Sequence, residues 1–492
     1  MTFVADAGQP AAAARQGSTL AVTILAVFAV LLLPAATFLA DPMIRHDDYP
    51  ALLGIPDLFY SKTLNEGRWL NYIWHLREVI TPAWLNFLVY NLFWAVYLGV
   101  LTHFTLGKRS ALLLRLFVAI LAGLAVPQIM ISLWFNTLIP GLFFVALYAL
   151  LSANLSSKSS RLLLVIFVPV TLTAYTTYPF LLLALCLARS DFQRSWKDLA
   201  ALLGVFLGSF ILGMLLIYLL NYFEHGIFGI VMADWRTPNP AHDLASLLAN
   251  LSVVSNFFHV FLLGAAFGNP AISLILWMPF LGAILLVARN APHKAAYGLA
   301  ALGLGMAMIF AQGVKTGIEL PLRTGGFIWT YYAIFLGWLY LELEKQGRKR
   351  LGGNLLFALS AFILIIAGVE RHISGSWQRY SSDLAVEIGT GAEPVLVTGT
   401  YRSLKPAKAS QLQSFHAVKF RLEHLTGRKI VVCEYEPQAC ADLLAKPDLP
   451  SSLLAEGQSH VLHRLPGLVV LQLSDTAVMK EKMEPSLQKS DS

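Results

Sequence analysis

From residue 18 onward the chain alternates between apolar runs and short polar breaks, and most of the runs are long enough to cross a bilayer. Residues 18–40 form the first, and runs near 83–106, 110–127, 136–152, 198–222, 271–289, 294–312, 327–342 and 353–369 follow. A further helical pair fills 161–189. It is broken at Thr173-Ala174-Tyr175-Thr176-Thr177-Tyr178-Pro179, because a proline disfavours helix at the residue before it. The pattern predicts a polytopic α-helical membrane protein with about eleven transmembrane helices over residues 18–369.

Two polar stretches, 41–82 and 223–270, are too long to be turns. In the first, Asp57 to Glu78 alternates at helical spacing, which predicts one or two helices lying along the membrane surface. In the second, 244–268 is apolar enough to insert but carries Asn250, Asn256 and His259. Counted as a span, it would place Arg289, Lys294 and the cluster from Glu344 to Arg350 on the side opposite the other basic runs. An interfacial or re-entrant segment fits better.

At residue 370 the pattern changes to short strand-like runs: Pro394-Val395-Leu396-Val397, Ile430-Val431-Val432 and Leu468-Val469-Val470-Leu471. Helical periodicity runs from Ser410 to Leu425 between the first two. A small α/β domain over 370–476 is predicted, with disordered tails at 1–17 and 477–492.

Composition narrows the class. With 57% hydrophobic and only 13% charged residues, an ordinary soluble protein is excluded. The net charge of +7 is concentrated in short runs such as Lys108-Arg109, Lys158 to Arg161 and Arg189 to Lys197. That is the positive-inside signal and not a nucleic-acid footprint, so no nucleic-acid partner is expected. It puts the N-terminus and these runs in the cytoplasm, and the long loops and the C-terminal domain outside. Residues 37–40 slightly resemble a signal-peptidase site, but the apolar run is longer than a signal peptide needs, and an uncleaved anchor is expected. Cys433 and Cys440 could close a small loop in an oxidising compartment or remain thiols in a reducing one. Cys186 sits in an apolar run as a packing residue.

The candidate chemistry lies in the first outer loop, at Arg45-His46-Asp47-Asp48-Tyr49 and Glu66-Gly67-Arg68-Trp69. Neighbouring carboxylates repel, so one can take a raised pKa while the other stays ionised or pairs with Arg45 or His46, and Asp47 or Asp48 could then act as a base. The plainer alternative has Asp47 capping the following turn and Asp48 solvated. Arg68, Arg236, Lys315 and Arg323 are isolated outer cations, suited to a phosphate or simply snorkelling to lipid headgroups. Trp69, Tyr175 and Tyr178 are either interfacial anchors or surfaces for a sugar. No histidine spacing forms a metal site. A divalent cation on the aspartate pair stays open, and no other cofactor is called for.

The first-loop Asp47-Asp48-Tyr49, the Gly67-Arg68-Trp69 that follows, the many spans and the modest outer C-terminal domain resemble the membrane glycosyltransferases of the GT-C fold. The nearest likeness is to the type II O-antigen glucosyltransferase group. The resemblance is strongest over 41–75. It implies an inverting enzyme of the bacterial inner membrane with a periplasmic C-terminal domain, taking a sugar, glucose in that group, from a polyprenyl-phosphate donor. The acceptor would be a cell-envelope glycan or lipid such as lipopolysaccharide. A first-loop aspartate, Asp48 before Asp47, would act on the acceptor, with Gly67-Arg68-Trp69 near the donor. Arg68, Arg236, Lys315 and Arg323 would serve the donor phosphate, and Arg45, His46, Tyr49, Trp69, Tyr175 and Tyr178 the substrates. The family's Tyr-Gln pair on a later outer turn is absent, and Tyr175-Thr176-Thr177-Tyr178 stands there instead. The alternative class is a transporter or flippase of a lipid-linked saccharide, which should carry ionisable residues deep in its spans and internal repeats.

Overall fold

A computed structural model describes residues 9–189, 195–264, 266, 268–412, 414–445 and 459–473. The tails expected at 1–8 and 477–492 lie outside the described residues. Residues 9–17, expected as tail, continue the first helix, Gln9–Leu32, through an alanine-rich stretch of high helix propensity. The chain divides into two compact units. One comprises Met1–Leu39 and Gly54–Glu370, the other Ala40–Leu53 and Arg371–Ser492.

The first unit is helical. Among the described residues, eight helical segments of the chain are long and apolar enough to cross a membrane, and seven of them lie wholly within this unit: Thr19–Phe38, Ala83–Leu106, Val126–Asn154, Trp196–His225, Leu244–Gly264, Pro270–Asn290 and Pro292–Thr316. The eighth begins at Lys349. Four other runs counted as spans in the sequence fall outside this set, among them the 16-residue helix Ser157–Leu172. Leu112–Gly123 and Tyr178–Ala188 are short, and nearly every residue of Gly326–Lys345 is buried among neighbours.

Helix packing follows from small residues and buried polar anchors. Gly99 lets the first helix approach so closely that a Cβ there would sit 2.7 Å from Ile24. Tyr97 donates its buried hydroxyl to the carbonyl of Leu181 at 3.0 Å. The break expected around Pro179 is present: one helix ends at Leu172 and the next, Tyr178–Ala188, starts with Pro179 in its first turn, where a missing N–H costs nothing. The surface segment folds as two short helices, Asp57–Glu66 and Trp69–His75. Leu244–Ala249 and Leu251–Gly264 are separated at Asn250, whose amide donates to the carbonyls of Asn239 and Val314, both at 2.9 Å.

The second unit is α/β. Strands β1 (Val395–Thr398), β2 (Ile430–Val432), β3 (Val461–Leu465) and β4 (Leu468–Gln472) form one sheet in the order β2-β1-β4-β3. β1 pairs in parallel with β2 and β4, and β3 returns antiparallel on β4. β1, β2 and β4 are fully buried and read as continuous apolar runs, as strands of a covered parallel sheet do. β3 is one of the two edge strands and, unlike β2 at the other edge, is only partly buried and carries His463 and Arg464, so it offers no apolar run to read. Helix His416–Thr426 connects β1 to β2, as a parallel pair requires. Cys433 and Cys440 are bridged, with Cα atoms 5.2 Å apart.

The division of the chain runs through the predicted first loop. Its opening segment, Ala40–Leu53, belongs to the α/β unit, and the remainder to the helical unit.

Candidate functional site

In the α/β unit, the two aspartates sit on a single 3₁₀ turn, His46–Asp48, entered from an extended Arg45. The Asp48 amide donates to the Arg45 carbonyl at 2.9 Å. Asp48 is fully buried, whereas the Asp47 side chain is 30% exposed and has Oδ1 3.2 Å from Nε2 of His46. Arg45 is buried, and its Nη1 donates to the carbonyls of Ser410 and Gln411, both at 2.8 Å. Tyr49 is buried with its ring 6.5 Å from those of Phe420 and His424. Burial pushes its phenol well above the ordinary value, the charges of Asp41 and Asp48 add to this, and Arg421 opposes it. Arg45 and Tyr49, expected to meet substrate, are thus engaged within the unit.

His416 and Lys419 flank the same turn. Burial holds the His416 imidazole below its usual pKa, helped by the positive charges of His46 and Lys419 and opposed by Asp47 and Glu436. Lys419 pairs with Glu436 at 2.6 Å. His416 stacks on Phe420, with ring centres 5.1 Å apart.

In the helical unit, the second motif forms its own centre. Gly67 ends Asp57–Glu66 in the left-handed conformation (φ 68°), and a Cβ there would lie 2.7 Å from Ile217, so glycine is required twice over. This tight reversal brings the side chains on either side of it together: Arg68 Nε lies 2.5 Å from Glu66 Oε2. The 3₁₀ turn Asp234–Arg236 delivers Arg236, whose Nη2 is 2.7 Å from Glu66 Oε1. Lys62 Nζ reaches the same oxygen at 3.4 Å. Three cations therefore converge on one carboxylate that is only 9% exposed.

Aromatic and polar groups frame this centre. The amide of Leu70 and the side chain of Asn71 bond to the carbonyls of Thr173 and Ala174. They fix the break between the paired helices, so that the Arg68 guanidinium lies 5.4 Å from the Tyr175 ring centre. Tyr178 packs against Tyr175 at 5.3 Å. Trp69 donates Nε1 to Asn221 Oδ1 at 2.8 Å and lies 5.8 Å from His225, which pairs with Thr63 at 2.8 Å. Tyr60 donates to Glu224 at 2.9 Å.

Of the predicted phosphate cations, Arg68 and Arg236 are brought together. Arg323 instead lies 4.5 Å above the Trp134 ring, and the exposed Lys315 accepts the Ala241 amide on its carbonyl at 2.9 Å near a helix end. The sequence reading missed the role of Glu66. Its spacing from Lys62 and its place before a glycine were the available signals. Among the described residues, no group of three or more His, Cys, Asp or Glu side chains could hold a metal ion.

Chemically, the helical-unit centre sets two guanidiniums and an ammonium against one shared carboxylate, three positive charges to one negative, and such groups are the ones that bind phosphate oxygens. The α/β-unit turn offers one buried and one partly exposed carboxylate. No protein-family model and no curated protein matches the chain.

Proposed function

We propose that this membrane protein is an inverting glycosyltransferase that moves a sugar from a polyprenyl-phosphate donor to a cell-envelope glycan or lipid at the periplasmic face of a bacterial inner membrane. The observation that carries the reading is the convergence of Lys62, Arg68 and Arg236 on Glu66. A polyprenyl-phosphate sugar leaves behind a phosphate, and its departure needs positive charge more than a proton. The basic runs between spans support the orientation, and the Cys433–Cys440 bridge suits an oxidising compartment.

In this mechanism Arg68 and Arg236 take the donor phosphate in place of Glu66, and Trp69, Tyr175 and Tyr178 line the approach of the sugar. Asp48, on the turn that begins at His46, accepts the proton of the acceptor hydroxyl. Asp47, more exposed and held by His46, meets the acceptor. The hydroxyl oxygen bonds to the anomeric carbon on the face opposite the phosphate. The bond from that carbon to the phosphate oxygen breaks, and polyprenyl phosphate leaves as the anion with inversion.

The test is transfer of labelled sugar from a panel of polyprenyl-phosphate sugars to envelope extract, in membranes holding matched amounts of wild type, Asp47→Asn and Asp48→Asn. The expected result is transfer by wild type from one donor, none by Asp48→Asn, and donor binding retained in both variants. Equal loss of donor binding and turnover would make the pair structural. No transfer from any donor, with lipid-linked sugar instead crossing vesicles, would replace the enzyme with a flippase.

A further inference from the structure

The proposed chemistry uses two carboxylates of the α/β unit but assigns that unit no task. The contacts around the 40–53 segment supply one. Before the carboxylate pair, Asp41 receives Arg421 on both of its oxygens, with Nη1 to Oδ1 at 2.7 Å and Nη2 to Oδ2. Gln378 donates to Asp41 Oδ1 at 2.7 Å and to the Pro42 carbonyl at 3.0 Å, and Ser382 donates to Asp41 Oδ2 at 3.2 Å. Immediately ahead of the pair, Arg45 is held by the carbonyls of Ser410 and Gln411. Immediately after it, Tyr49 is buried against Phe420 and His424.

The turn is thus fastened on both sides, and each of these contacts comes from residues 378–424. Arg421 is itself fully buried. Taking a guanidinium out of water is costly unless a carboxylate meets it with good geometry, so the fork on Asp41 is a committed contact and not a surface pair. Hydrogen bonds engage Asp41, Pro42 and Arg45, and ring packing engages Tyr49, the residues that flank the turn.

We propose that the α/β unit is the mount of the Asp47–Asp48 turn, and that Arg421 is a positioning residue for the transfer reaction, a role that rests on the glycosyltransferase reading. The groups assigned to the donor phosphate, Arg68 and Arg236, are held by other residues altogether. Loosening the mount therefore lowers turnover and spares donor binding.

The experiment uses the full-length protein in detergent or membranes, as wild type, Arg421→Met, Gln378→Ala and Asp48→Asn. Gln378→Ala removes bonds to Asp41 and Pro42 without touching a buried charge, and remains informative should Arg421→Met not fold. Hydrogen–deuterium exchange is read over 42–53, and kcat and donor KM are measured per folded protein. In Arg421→Met and Gln378→Ala, exchange over 42–53 is expected to rise about tenfold with the helix Ala83–Leu106 unchanged. kcat should fall about tenfold while donor KM stays within about twofold. Exchange unchanged in both variants overturns the mount. Faster exchange with normal kcat overturns the positioning role. Full transfer by Asp48→Asn, alongside the exchange shift, shows instead that the mount is real and the catalytic reading is the part that fails.

Discussion

Arg421 holds Asp41 across 380 residues of sequence, two guanidinium nitrogens on two carboxylate oxygens. The partners are unequal: the arginine side chain is wholly buried, and the aspartate side chain is 41% exposed. Removing either breaks the same bonds but leaves a different remainder.

Asp41→Ala strands a buried cation, and is expected to cost the α/β unit about 3 kcal/mol. Arg421→Met removes the charge and leaves a carboxylate that water can reach, so its cost is expected to be about half as large. Denaturant unfolding followed through buried Trp377 compares the two. Equal losses would sink the buried-charge account.

Acid should weaken the α/β unit in two stages. Burial and the charge of Arg421 hold the His424 imidazole below its ordinary value of 6.5, with Asp41 opposing, and burial does the same for His416. A depressed histidine favours the fold fully above its unfolded value, and the benefit is lost as pH falls through the folded one. Burial tends to raise Asp41, but the hydrogen bonds and charge of Arg421, with Gln378 and Ser382, outweigh it and leave the carboxyl below 3.8. Its contribution is present above that value and lost only in stronger acid. Glu423, raised by burial, works in the opposite sense, favouring the fold below its ordinary 4.5 and losing that benefit as pH rises through the folded value. Melting temperature measured from pH 8 to 3 should fall first below 6.5. His424→Gln should flatten that first stage and Asp41→Asn the second.

The shared carboxylate makes Arg68 and Arg236 interdependent. Each single change to Gln is expected to raise donor KM about tenfold, and the double variant by clearly less than the product of the two. Strict multiplication in steady-state kinetics would mean the two guanidiniums act on different groups.

The Cys433–Cys440 bridge closes a short loop between β2 and the helix Pro437–Leu444. Its loss through paired Ser substitutions should cost about 2 kcal/mol of α/β-unit stability. A reducing agent added to wild type should reproduce the loss and leave the Ser pair unaffected.

Much of this architecture is written locally in the chain. The breaks at Thr173 to Tyr178, the three buried strands and the paired surface helices each follow from a few adjacent residues whose spacing sets their burial. β3 was hidden because an edge strand tolerates His463 and Arg464. The membership of Ala40–Leu53 in the α/β unit was hidden for a stronger reason. It depends on Asp41 meeting Arg421 and on Arg45 meeting two carbonyls, and neither partner leaves any mark on the sequence beside it. For the candidate site, the motif around Gly67 was legible, but the arrival of Arg236 at Glu66 required the fold.

The split composition of the α/β unit also sets an order of events during synthesis. The Asp47–Asp48 turn leaves the ribosome with the first membrane helix, yet Arg421 follows it 380 residues after Asp41. Until residues 378–424 have been translated, the contacts that Asp41, Arg45 and Tyr49 make with them cannot form. A nascent or truncated chain that already carries every apolar helix before residue 371 therefore lacks the residues that hold Asp41, Arg45 and Tyr49.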